Sequence, residues 1–344
     1  MSRKMIWAAA GVAAIAAFSS FGAAAAQETA PSAEPAAQLA TPPMWRVADT
    51  DSEFVLLGTF HILPPGLNWR TDSLNDALAS AETVYFEIDS DAPETQAVAT
   101  RVTMLKGYNP QDALLTSMLD DADAQKLRDI SSDLGLPFAA IDPMRPWFAF
   151  LTLSVQFIVD QGFAPGAGLD TILLSEARGL GKELAFFESI EEQLALFTDL
   201  PPETEKSLLV LTLRDWENQT TAFQPLYEAW RTADVDTIDV MMNDAMRDQA
   251  PEVYARLMLD RNTAWAETLA TALDEGSGTA LVAVGAGHLT SGADSVPALL
   301  AAKGFEVSRY GDWTGGAPAN DNVPTYPMSI DDILETEIEP TPTP

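Results

Sequence analysis

Two stretches far apart in the chain are near copies of each other: FVLLGTFH, from Phe54 to His61, and LVAVGAGH, from Leu281 to His288. Each is an apolar run of aliphatic and β-branched residues that ends in a Gly-x-x-His turn, and together they carry both histidines of the sequence. Both read as buried strands. One lies near the start of the folded region and one near its end. The pair therefore calls for a fold that closes the chain onto one edge of a sheet, where the two imidazoles make a site.

The segments between them support an α/β sheet. Trp45–Val47 and Phe54–Leu57 predict a hairpin whose turn is the polar cluster Asp49–Ser52. After the loop LPPGLNW, Asp72 is placed to cap a helix through Ala81, with Leu74, Ala77, Leu78 and Ala81 on one face. Thr83–Ile88 is the next strand and delivers Glu87. A strand, helix, strand unit of this length is a parallel crossover, and such sheets hold ligands outside the carboxyl ends of their strands. Glu94–Asp133 is helical with a break at Gly107–Pro110, and Asp142–Trp147 is bent by its prolines. Phe148–Asp160 is an apolar helix, and Trp147, Phe148 and Phe150 belong to the core. Leu169–Arg178 is a helix, Glu183–Phe187 a strand delivering Glu188, and Ser189 with Glu192 a capping box. Residues 201–274 read as almost entirely helical. After the second histidine a helix runs to Lys303, followed by a last strand at Phe305–Tyr310. The expected fold class is a single α/β domain over 45–310, with a central mixed, mostly parallel sheet and large helical insertions.

Composition limits the chemistry. Of 344 residues, 47 % are hydrophobic and 20 % charged, an ordinary globular balance. The absence of cysteine excludes disulfides, a thiol nucleophile and cysteine-ligated zinc. Residues 1–26 read as a secretory signal peptide, with Arg3 and Lys4 before the apolar Ile6–Phe21 and a small-residue cleavage site at Ala24–Ala26. A periplasmic or secreted protein is expected, with an uncleaved signal as the one route to a membrane. Cleavage removes two basic residues and takes the net charge from −32 to −34. That surface repels nucleic acid and anionic lipid, so no nucleic-acid partner is expected. Residues 27–44 read as a flexible linker and 311–344 as an acidic, proline-rich disordered tail.

The motifs GTFH, YFE, MRPW, GLD, FESIEEQ, DRN and VAVGAGHL, in this order over about residues 44–310, resemble the TraB/PrgY/GumN family. That family is related to the Tiki metalloproteases and to erythromycin-esterase-like proteins. The resemblance implies a site made of His61, His288 and Glu87. It also implies metal-dependent hydrolysis of a peptide bond, with manganese or cobalt as the divalent metal.

Two neutral imidazoles and a carboxylate suit such a cofactor, zinc included, because they leave a position open for water. Arg145 and Arg261 stand out in so acidic a chain, either as stabilisers of a developing anion or as partners of a carboxylate. Glu188 reads as a further ligand, a general base, or the cap of the helix after it. Asn262 and Asp170 read as structural, locking turns and helix starts. The leading expectation is a metal-dependent hydrolase acting on a peptide or a small amide or ester. Beside it stand a metal-free enzyme in which a histidine is the general base and a glutamate orients it, and a non-catalytic protein that binds peptide or serves exopolysaccharide export.

Overall fold

The computed structural model describes residues 39–110 and 113–311. The signal segment, most of the linker and residues 312–344 of the tail lie outside them. The chain is packed from a little before the expected boundary at Trp45: Ala40 is fully buried, and its N–H donates to Asn68 O at 2.8 Å.

Six strands form one sheet in the order β4-β3-β5-β2-β1-β6. They are β1 (Met44–Ala48), β2 (Ser52–Thr59), β3 (Thr83–Phe86), β4 (Glu183–Phe186), β5 (Gly278–Gly285) and β6 (Glu306–Arg309). β1 pairs antiparallel with β2 and with β6, and the pairs β2–β5, β3–β5 and β3–β4 are parallel. The sheet is therefore mixed and mostly parallel, as the pattern of elements predicts. The β1–β2 turn forms because Asp49 Oδ1 accepts from the N–H groups of Asp51 and Ser52, at 3.1 and 2.8 Å.

The paired apolar runs become β2 and β5, which lie side by side at the centre of the sheet with Gly58 opposite Val284. Their unbroken apolar character follows from burial on both faces. Val55, Leu57, Leu281 and Ala283 face one core, against Leu74 and Leu78 of the helix Asp72–Ser80 and Leu173 of the helix Leu169–Gly179. Phe54, Leu56, Val282 and Val284 face the other, against Trp265 and Leu269 of the helix Asp260–Glu275. A third core, with Trp147 and Phe150, lies within the helical insertions.

Thr71, rather than Asp72, caps the first helix, its hydroxyl accepting from Leu74 N–H at 3.1 Å. Asp72 instead sits in the first turn, where its charge favours the helix dipole. The long helical region holds two π segments, Val240–Asp244 and Ala255–Leu259. No helix among the described residues is long and apolar enough to cross a membrane.

Candidate active site

Three parallel strands end at the same edge. β2 leads to His61, β3 to Glu87, and β5 to the short helix Ala286–Thr290, which holds His288 in place of the expected turn. All three side chains are at most 4 % exposed. Glycine makes the edge possible. A Cβ on Gly58 would stand 2.9 Å from Pro43 Cγ and 3.1 Å from Ala286 Cβ. A Cβ on Gly285 would project to a point 3.2 Å from Glu87 Oε1, 3.4 Å from His61 Nε2 and 3.6 Å from His288 Cδ2. That point marks where the three groups converge.

The centre of the cluster is Arg261. Its Nε and Nη2 donate to the two oxygens of Glu188, at 2.6 and 2.9 Å. Nη2 also donates to Glu87 Oε2 at 2.9 Å, and Nη1 to Leu257 O at 3.1 Å. The remaining Nη1 proton points at His288 Nε2, 3.0 Å away. A guanidinium only donates, so His288 Nε2 must accept, and its proton resides on Nδ1. Nδ1 accordingly donates to Asn262 Oδ1 at 2.6 Å, and the Asn262 amide is fixed by Ser291 Oγ and Asp294 O, at 3.0 and 2.9 Å. Trp265 packs under this assembly, with its ring 4.7 Å from the Arg261 guanidinium carbon and 4.4 Å from the His288 ring. Glu87 is held at both oxygens: besides Arg261, Oε2 accepts from Gln193 Nε2 at 3.1 Å, and Oε1 accepts a single bond, from Gly285 N–H at 2.8 Å.

His61 faces a different environment. Nδ1 lies 3.2 Å from Asp170 Oδ1, off the line of a well-formed hydrogen bond, and Nε2 lies 3.9 Å from Glu87 Oε1. A cavity of about 10 Å³, the space of a single water molecule, is lined by His61, Glu87, Asp170 and Ser90 among others. Asp170 and Glu188 carry the cluster toward solvent, with side chains 13 and 12 % exposed.

Charge divides the two histidines. Burial lowers the pKa of His61, but Asp170, followed by Glu87, outweighs it and carries the pKa up to about 9, so the ring is charged at neutral pH. His288 is pushed well below its ordinary value by burial, then by Arg261 and His61, and stays neutral. Burial raises the Glu188 carboxyl against the pull of Arg261. Arg261 is raised because Glu188 and Glu87 overcome its burial.

A family model described as the TraB/PrgY/gumN family matches residues 43–309. The chain belongs to the TraB/PrgY/gumN family. No curated protein and no solved structure matches it.

Within this family member the expected site residues sort as follows. His61, Glu87, His288, Arg261 and Glu188 come together. Arg145 does not join them. It starts the helix Pro146–Asp160 and donates to Lys106 O and Thr198 O, both at 3.2 Å, and to buried Glu205, clamping three helices of the insertion. Glu188 is not the helix cap: Ser189 is, within the expected capping box. Asp170 and Asn262, expected to be structural, face the two histidines: Asn262 bonds His288 Nδ1, and Asp170 lies 3.2 Å from His61 Nδ1. Gln193, Trp265 and Gly285 belong to the site too, and the first lies in the motif FESIEEQ already singled out.

As a metal centre this donor set does not fit. The Nε2 lone pair of His288 and one oxygen of Glu87 are both taken by Arg261, and no group of three or more His, Asp or Glu side chains among the described residues is arranged to hold a metal ion. A dication among these side chains would also face the buried Arg261 guanidinium.

Proposed function

We propose that this TraB/PrgY/gumN family member is an exported hydrolase that cleaves a peptide or a small amide or ester by acid–base catalysis between His61 and Glu87. The observation that carries this reading is the apposition of His61 Nε2 and Glu87 Oε1, 3.9 Å apart beside a cavity the size of one water, at the carboxyl ends of parallel strands. An apposed carboxylate and imidazolium can serve as a general base and a general acid.

In this scheme a water beside Glu87 Oε1 gives up its proton as it adds to the substrate carbonyl. His61 Nε2 gives its proton to the departing nitrogen or oxygen. The proton held by Glu87 then returns to His61 across the 3.9 Å gap. Asp170 lies 3.2 Å from Nδ1, and its charge keeps the ring protonated. His61 is thus the acid, in contrast to the general base expected from sequence. Because the present cavity holds about one water, the substrate must part the walls of the site, where the loop around Ser90 is one border. Export rests on the character of residues 1–26.

The test is hydrolysis of a panel of peptides and esters by the exhaustively chelated full chain and its His61→Gln variant. The expected result is turnover by the parent and a fall on the order of 10² to 10⁴ in the variant. Equal turnover in both would refute the role of His61. Saturable peptide binding without cleavage would replace the enzyme with a peptide-binding protein.

A further inference from the structure

We infer that Arg261 is the resident cation of this site and stands in the place a divalent metal would take, so that the chain is kept metal-free by one side chain.

Arg261 has five N–H donors, and all five are used: three on Glu188 and Glu87, one on Leu257 O and one on His288 Nε2. Those partners are what a metal would seek. Two belong to the histidine and glutamate that the second and third strand ends deliver. The guanidinium therefore occupies the ligand field directly, where a cation placed beside the site would leave the imidazole lone pair free. Its position is fixed from every side. Trp265 supports its face at 4.7 Å, and Glu188 grips its edge through both oxygens. It is 7 % exposed and cannot swing into solvent without dismantling the cluster.

Glu87 and Glu188 face the guanidinium with both carboxylates, as they would face a metal ion. Removing Arg261 leaves those carboxylates without their cation, frees both oxygens of Glu188 and leaves the His288 Nε2 lone pair unoccupied, a combination with the donor chemistry of a divalent site. The neutral Nδ1–H tautomer of His288, fixed by Asn262, already presents Nε2 as the ligating atom.

The inference rests on the metal-free reading of the site above, but its test reads metal binding and not turnover. Co²⁺ is titrated into the full chain, its Arg261→Ala variant and the charge-compensated double variant Arg261→Ala/Glu188→Gln, followed by calorimetry and by the visible absorption of the bound ion. The double variant guards against misfolding, because it removes the cation together with one carboxylate that the single variant leaves buried. The expected result is no stoichiometric uptake by the parent, one equivalent in a folded Arg261 variant, and loss of that equivalent when His288→Ala is added. One equivalent bound by the parent, lost in His288→Ala, would overturn the inference. So would a folded double variant that binds no more Co²⁺ than the parent. Failure of the proposed hydrolysis with this gain intact would leave the inference standing.

Discussion

At the scale of residues, the two histidines share an edge of the sheet and differ in charge because of what touches them. Their effects on stability therefore have opposite signs. His61 binds its proton more tightly folded than unfolded, so its stabilisation is full below about pH 6.5 and is lost as pH rises toward about 9. The whole window is worth on the order of 3 kcal/mol. His288 is held neutral, so its part is present above about pH 6.5 and fades as pH falls. Urea unfolding across pH 6.5 to 9 should show a declining stability in the parent, and His61→Gln should flatten that decline. Gly168 offers a second test. A Cβ there would collide with the carbonyl of His61 and stand 3.1 Å from Asp170 Oδ1, so Gly168→Ala must push the pair apart. The expected cost is about 1 to 3 kcal/mol in urea unfolding, together with a His61 pKa that falls back toward 6.5.

At the scale of elements, strands set the groups of the candidate site and helices hold them. The loop before Leu169–Gly179 is pinned to the His61 turn by Leu169 N–H to Phe60 O at 3.2 Å and Ala164 N–H to Leu63 O at 2.9 Å. The helix Trp216–Arg231 pins the strand itself, with Trp230 Nε1 donating to Gly58 O at 2.9 Å. The insertion around Arg145 has a core of its own. Arg145→Met leaves Glu205, whose side chain is 2 % exposed, without its cation, and should destabilise the protein by about 3 to 5 kcal/mol. Hydrolysis per folded molecule should not change. A selective loss of turnover in folded Arg145→Met would show that the insertion reaches the chemistry.

At the scale of the molecule, closure of the chain depends on β5, which lies between β2 and β3 and joins the first strands to the rest of the parallel sheet. Deleting residues 278–311 should therefore abolish the native fold outright, as far-ultraviolet circular dichroism and loss of cooperative unfolding would report. The strands that deliver His61, Glu87 and His288 were legible in the sequence, because an apolar run buried on both faces is a local pattern. So was the capping box at Ser189, whose two partners are three residues apart. What joins the site was not legible. Arg261 meets Glu87 across 174 residues and Glu188 across 73, and no local period records such a contact. Arg145 and Arg261 looked alike for the same reason, as scarce cations in an acidic chain. Asp170 resembled an ordinary acidic residue in a first helical turn, which it also is. One buried histidine is charged and the other neutral, set by carboxylates on one side and Arg261 on the other. Because the sequence holds only two histidines, a ¹⁵N imidazole NMR titration of the full chain reads both, with His61→Gln supplying the assignment. The expected spectrum has His61 doubly protonated until about pH 9 and His288 as the neutral Nδ1–H tautomer to well below pH 6.5. Two rings titrating together near 6.5, or a neutral His61 at pH 7, would contradict it.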